Sequence, residues 1–246
     1  MNNNQQGWFR RLMHTRVGGL LLPIASSTSE GDKNTQALMR HLLREARRQE
    51  AWDAPLEQTR FVVLDTETTG FQPQEDIVLS IGAVVMTGGE IHAGETFYSL
   101  VNSDPAHPIP PAITELTGIR AEDVRKAPTP REVLPSFLQF AKDAVLVLHH
   151  AGHDLPFLNQ LLRRTFRTQL THRVLDTADI ARWLHPECSG GLDELLVRYG
   201  IPVQDRHHAL GDAKMTAQLW QVLLTEVFER DVQSLGDLYE TMILSK

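Results

Sequence analysis

Cysteine occurs once in the 246 residues, at Cys188, so no internal disulfide can form and a cysteine-built zinc site is excluded. Nothing in that usage points to an oxidising compartment. Long apolar runs are also missing: none reaches the roughly 18 to 20 residues that a membrane-crossing helix needs. Arg10, Arg11 and Arg16 precede the short run Val17 to Ala25 in loose imitation of a signal peptide, but Gly18, Gly19 and Pro23 interrupt it. No small-x-small cleavage site follows, and a cytoplasmic location with no membrane partner is expected. Positive charge is the third shortage. Lys and Arg number 24 against 31 Asp and Glu, a formal charge of −7. That is the wrong sign for holding duplex DNA by broad phosphate neutralisation, so any nucleic-acid contact should be local.

The remaining composition is that of an ordinary globular protein, with 41% hydrophobic and 22% charged residues, enough for one sizeable α/β domain plus an appendage. Residues 1–60 carry nine Lys/Arg against six Asp/Glu, and the rest carries fifteen against twenty-five. The acidity therefore belongs to the main domain. Clustered carboxylates that bind divalent cations can present a phosphate with metal charge in place of Lys and Arg.

Residues 1–59 read as an N-terminal extension and residues 60–246 as the main domain, ending in a helix. Within the extension, Ser26 to Lys33 is rich in Ser, Thr, Gly and charge and reads as mobile linker. From Thr35 to Trp52 the residues Leu38, Leu42 and Ala46, with Met39 and Leu43, recur at helical spacing between Arg40, Arg44, Arg47 and Arg48. This basic amphipathic helix either packs on the main domain with its charged face in water or meets a partner. Pro55 should end it.

Phe61-Val62-Val63-Leu64 is a continuous apolar run suited to a strand buried on both faces. Ile77–Met86 and Glu90–Val101 are β-rich and separated by Thr87-Gly88-Gly89, a hairpin-turn signal. Ala144–Leu148 and Val174-Leu175 are further short strands. Helices are expected over Ala112–Leu116, Arg131–Phe140, Leu155–Arg164, Thr177–Leu184, Leu192–Tyr199, Ala209–Val227 and Leu235–Leu244. A meander followed by alternating helices and strands predicts a mixed sheet covered by helices, α/β in class.

Asp65 and Glu67 close the first strand, and a spacing of two on an extended chain puts both carboxylates on one side, where they can share a cation. A D-x-E triplet alone is a weak signal. Its position after Phe-Val-Val-Leu strengthens it, since unpaired acids there are costly to bury without cations. Asp154 stands before Leu155-Pro156-Phe157-Leu158, as a helix N-cap, as a further ligand beyond the fourth strand, or as both. Asp212 lies in the first turns of a long helix, behind His207 and His208, either of which could act as a general base. Adjacent residues on an extended loop point opposite ways, so only one of the two reaches inward.

Together these segments resemble the DEDD exonuclease superfamily in its histidine-containing branch, which includes the proofreading exonuclease subunit of bacterial DNA polymerase III and ribonuclease T. Asp65-Thr66-Glu67-Thr68-Thr69-Gly70 matches the family's D-x-E-T-T-G. His149 to Leu158 matches H-N-A-x-F-D-x-x-F-L, with His150 in place of the usual Asn and His153 in place of the usual Phe. His207 to Asp212 matches H-x-A-x-x-D, and Leu116-Thr117-Gly118-Ile119 and Gly191 to Leu195 match further family segments.

The resemblance spans about residues 60–227. It implies a ribonuclease-H-like fold with a five-stranded mixed sheet. It implies too that Asp65, Glu67, Asp154 and Asp212 hold two divalent cations, Mg²⁺ or Mn²⁺. These would orient a phosphate, activate water and stabilise the departing 3′-oxygen. Family spacing selects His207 as the base, and Thr68 and Thr117 as contacts of the last nucleotide. The implied activity is removal of nucleotides from the 3′ end of single-stranded DNA or RNA, with DNA favoured. An alternative role is as a proofreading or adaptor subunit that binds a polymerase or repair partner through the basic helix. A third reading makes His149, His150, His153 and Asp154 a zinc site.

Overall fold

The computed structural model describes residues 29–47 and 53–244. The polar opening, the first part of the expected linker and residues 48–52 lie outside the described residues. Strand β1 (Arg60–Thr68) is the centre of the architecture, because Phe61 to Leu64 are buried on both faces. It pairs antiparallel with β2 (Val78–Thr87), which pairs with β3 (Glu90–Leu100) across the Gly88-Gly89 turn. On its other side β1 runs parallel to β4 (Val145–Leu148), which runs parallel to β5 (Val174–Asp176). The order β3-β2-β1-β4-β5 is the five-stranded mixed sheet that the sequence pattern predicts.

Period-two alternation on β1 divides the core. Val62 and Leu64 pack with Met39 and Leu43 of α1 (Ser29–Arg47), Phe137 and Leu138 of α4 (Pro130–Ala141), and Phe157 and Leu158 of α5 (Ala151–Phe166). Phe61 and Val63 face Ile180 of α6 (Thr177–Leu184), Trp220 and Leu223 of α8 (Ala209–Phe228), and Leu238 of α9 (Leu235–Leu244). Phe61 meets Trp220 edge-to-face at 5.4 Å, a favourable aromatic geometry. Two short helices, α2 (Pro111–Thr117) and α3 (Ala121–Lys126), lead from the meander to α4, and α7 (Leu192–Arg198) leads to α8.

Two helix starts, those of α1 and α5, differ from expectation. Asp65 and Glu67 lie in the last residues of β1, as expected, and β2 continues there to satisfy the backbone. Helix α1 starts at Ser29 and absorbs the end of the expected linker. Its buried stripe is Met39, Leu43 and Ala46, with Leu38 and Leu42 only half-buried beside it, and Thr171 donates a hydrogen bond to the Leu43 carbonyl. α1 therefore packs on the domain with Arg40 and Arg44 exposed. α3 is too short to show helical periodicity in sequence. α5 begins at Ala151, ahead of the expected Leu155, which moves Asp154 from a capping position into the first turn.

One glycine governs how closely α8 approaches the sheet. Gly82 lies opposite Asp65 on one side and Tyr98 on the other, a cross-strand row sharing one face. A Cβ at Gly82 would stand 2.2 Å from the Leu210 nitrogen and 2.3 Å from the Ala209 carbonyl carbon. Backbone at that distance has to move. Gly82→Ala should therefore lower unfolding free energy by about 1–3 kcal/mol, the usual cost of overpacking, although alanine is ordinarily the better strand residue. An unchanged denaturant midpoint would show that α8 is free to shift without loss.

Candidate active site

The same alternation that divides the core sorts the acids of β1. Asp65 and Glu67 share the face of Phe61 and Val63, towards α8, and there they meet Asp212. Ligand oxygens of the three carboxylates lie within 4.8 Å of one another. Thr66 points the other way and grips Asp154, whose Oδ1 accepts from the Thr66 backbone N–H at 3.0 Å and its hydroxyl at 2.6 Å. The two strand faces thus deliver Asp212 and Asp154 to the same strand end from opposite helical layers. The β1–β2 register shifts between Glu67 and Thr68, the kind of irregularity that re-aims side chains.

Asp154 and Asp212 occupy equivalent places, each the fourth residue of its helix, where partial positive charge favours an acid. The start of α5 is fixed by Asp176 at the end of β5. Its carboxylate accepts from the backbone N–H groups of His150 at 3.0 Å and Ala151 at 2.9 Å, and from that of Ala178 in α6 at 2.9 Å. One side chain therefore ties two helix starts to the sheet edge.

The adjacent histidines have different surroundings. The His208 ring stacks on Tyr98 with centroids 4.5 Å apart, and its Nδ1 caps α8 by accepting from Gly211 N–H at 3.4 Å. Burial holds the ring below the ordinary histidine pKa. His207 is half-buried, its ring has no hydrogen-bond partner among the described residues, and its backbone N–H donates to Asp212 Oδ2 at 2.9 Å. The expectation of an extended loop is corrected: His207 has φ +60°, a left-handed turn, so the alternation of an extended chain does not apply there.

Electrostatics marks the carboxylate cluster as short of positive charge. Glu67 is pushed up to about 8, chiefly by burial and then by Asp212 and Asp154, with Arg206 opposing. Asp65 is raised well above the carboxylate range by burial and by Asp154, Asp212 and Glu67. Asp154 rises to about 6 through burial, against the Thr66 hydrogen bonds. Carboxylate oxygens alone, converging this closely, fit hard divalent cations of the Mg²⁺ or Mn²⁺ kind.

The remaining expected residues make local hydrogen bonds. The Thr68 hydroxyl donates to the Gly70 carbonyl at 2.7 Å and lies 3.4 Å from His153 Nε2. Thr117 donates to the Ile113 carbonyl at 2.8 Å and accepts from Ile119 N–H at 3.1 Å, closing the end of α2. His149 Nδ1 pairs with the Thr177 hydroxyl at 2.8 Å, and burial followed by His150 pushes its pKa down to about 3. Among the described residues no group containing His149, His150 or His153 brings metal-ligating atoms together, so the zinc reading is not supported. Sequence reasoning passed over Asp176, Tyr98, Arg206 and Gly82. Only Gly82 carried a signal, a glycine inside a strand pattern.

The sequence profile of the RNase T family, described as exonuclease, matches residues 62–220. The chain is 38% identical over 184 residues to a PolC-type DNA polymerase III of Clostridium perfringens, an alignment covering 73% of this chain. It spans only 12% of that relative's length. Among solved structures it resembles the nuclease domain of 3′hExo, a DEDDh family member bound to rAMP, with TM-score 0.62, 18% identity, and coverage of 70% of this chain and 95% of that one. It also resembles E. coli exonuclease I in complex with a dT13 oligonucleotide, with TM-score 0.60, 17% identity, and coverage of 71% and 43%. The expected ribonuclease-H-like architecture and the expected exonuclease family both stand. Among the described residues no helix is long and apolar enough to cross a membrane.

The raised Glu67 value carries a stability consequence. Its folded-state pKa of about 8 exceeds the ordinary 4.5, so the metal-free folded protein holds a proton that the unfolded chain releases. That contribution is fully present at low pH and is lost as pH rises from about 4.5 to 8. Thermal melts without divalent cation should show the decline, and Glu67→Gln should flatten it. Mg²⁺ should raise the melting temperature more at the alkaline end, where cations no longer displace protons. Equal Mg²⁺ stabilisation across the range would count against a shared cation at this cluster.

Proposed function

The chain belongs to the RNase T family of exonucleases, and on that premise we propose that it removes nucleotides from the 3′ end of single-stranded nucleic acid, with DNA preferred. The observation carrying this reading is the convergence of Asp65, Glu67 and Asp212 within 4.8 Å, with Asp154 brought to the same strand end by Thr66. In this reading the four carboxylates hold two divalent cations, Mg²⁺ or Mn²⁺. When bound, the cations supply the positive charge that positions a scissile phosphate and offsets charge on the departing oxygen.

The chain's own groups do the rest. His207 takes a proton from the attacking water as its oxygen bonds to phosphorus. The bond from phosphorus to the 3′-oxygen of the preceding nucleotide then breaks, releasing a nucleoside 5′-monophosphate. A half-buried ring with no other partner among the described residues suits that task, and the capping, stacked His208 does not. Thr68 and Thr117, which match the family's segments, would meet the terminal nucleotide. The preference for DNA is supported by the PolC-type polymerase relative and by the dT13 bound to E. coli exonuclease I. The same relative supports a proofreading setting beside a polymerase in the cytoplasm.

Two experiments test this. With 5′-labelled DNA and RNA oligonucleotides of matched sequence, the wild type should shorten DNA stepwise from the 3′ end in Mg²⁺, and more slowly shorten RNA. Asp65→Ala and Asp212→Ala should abolish that ladder without unfolding, and near-normal ladders in either variant would sink the assignment. In the second, His207→Ala should slow turnover by roughly 10² to 10⁴, as loss of a general base commonly does, with its melting temperature kept. His208→Ala should mainly cost stability, about 1 kcal/mol for a lost helix cap, with a much smaller rate effect. The reverse pattern would mean that the loop carries a one-residue shift.

A further inference from the structure

Asp212 does not face the carboxylate cluster alone. Its Oδ1 accepts from Arg206 Nη1 at 2.6 Å, while its Oδ2 accepts from the His207 backbone N–H. Arg206 Nε in turn donates to Asp193 Oδ1 at 2.8 Å, in the first turn of α7. The guanidinium therefore bridges a buried carboxylate, with its side chain 5% exposed, to a solvent-facing one at 70%. It is planar, permanently charged, and held at two corners of its fork. Its charge also favours the ionised forms of Asp65 and Glu67.

A cation approaching this cluster meets that charge in place. Arginine and a divalent cation both neutralise a carboxylate, and their like charges repel when both lie against one oxygen. We propose that Arg206 is a positioning residue that competes with a divalent cation for Asp212. Without the cation it keeps the buried carboxylate paired and the loop seated. When the cation arrives it gives up Oδ1 and stays tethered through Nε to Asp193. The His207 N–H keeps its own oxygen, Oδ2, so the loop remains anchored in both states. Arg206 thereby sets how tightly the site loads, and the exposed Asp193 makes its retreat cheap because that pair is already solvated.

This rests on the carboxylates being a cation site, as the proposed function holds, and binding measurements separate the two. The full chain, stripped of metal, is titrated with Mn²⁺ alone by calorimetry, with thermal melts recorded for each variant. Arg206→Gln should bind Mn²⁺ about ten-fold tighter, the order of effect expected when one like charge is withdrawn from beside the cation. Arg206→Lys keeps the charge but not the fork, and should fall between the wild type and Arg206→Gln. Asp193→Ala leaves the guanidinium no second anchor and commits it to Asp212, so Mn²⁺ should bind more weakly. A merely structural role for Arg206 predicts the opposite, weaker binding in Arg206→Gln with no rescue by lysine, and that result overturns the proposal. Unchanged or tighter binding in Asp193→Ala overturns it as well, and does so in a variant altered only at the surface. If no variant binds Mn²⁺, both readings fall. A wild type that binds Mn²⁺ but leaves oligonucleotides intact refutes the exonuclease reading, while the order of the affinities still decides the role of Arg206.

Discussion

Helix α8 can lie against the sheet only because β2 presents no side chain at Gly82, and the site depends on that close approach. Along the row Asp65, Gly82 and Tyr98, each residue meets the start of α8 differently. Asp65 faces Asp212, Gly82 admits the Ala209-Leu210 backbone, and Tyr98 stacks on the capping His208. Widening the gap by one methyl would move the helix N-terminus, and with it the carboxylate in its fourth position. The buried Trp220 against Phe61 holds the same helix further along, so the closeness at one end is backed by packing at the other.

The cost of bringing acids together falls on the protein itself. Three carboxylates lie within 4.8 Å in half-buried and buried positions; burial raises the pKa values of Asp65 and Glu67, and the neighbouring carboxylates raise them further. A fold tolerates such a cluster when something positive answers it. Protons answer it at low pH, Arg206 answers part of it at Asp212, and the donor set is suited to divalent cations. Stability, pH and metal are therefore linked through one group of side chains.

Much of this was legible in the chain. The apolar run from Phe61 to Leu64 announces a central strand because only a strand buried on both faces can use it. Asp65 and Glu67 at a spacing of two fall on one side because strand side chains alternate. The motif pattern led to the exonuclease family before any contact was known. Less legible were the ends of elements. Asp154 reads as a cap because Pro156 suggests a helix start, yet the helix begins at Ala151, where Asp176, 25 residues away, accepts its first N–H groups. α1 takes in residues that look like linker because Met39 and Leu43 find a core to join, and composition does not reveal a distant core.

The sequence by itself determined the fold class, the family, and which acids and histidines are candidates, because periodicity and spacing are local properties that survive without neighbours. Only the tertiary structure decided which of them meet. It placed Asp212 with Asp65 and Glu67 on one strand face, set Asp154 behind Thr66 on the other, gave His208 to Tyr98, and put Arg206 between Asp193 and Asp212. Those pairings depend on how closely helices from the two layers approach the central strand, and that distance is set by packing between residues far apart in the chain.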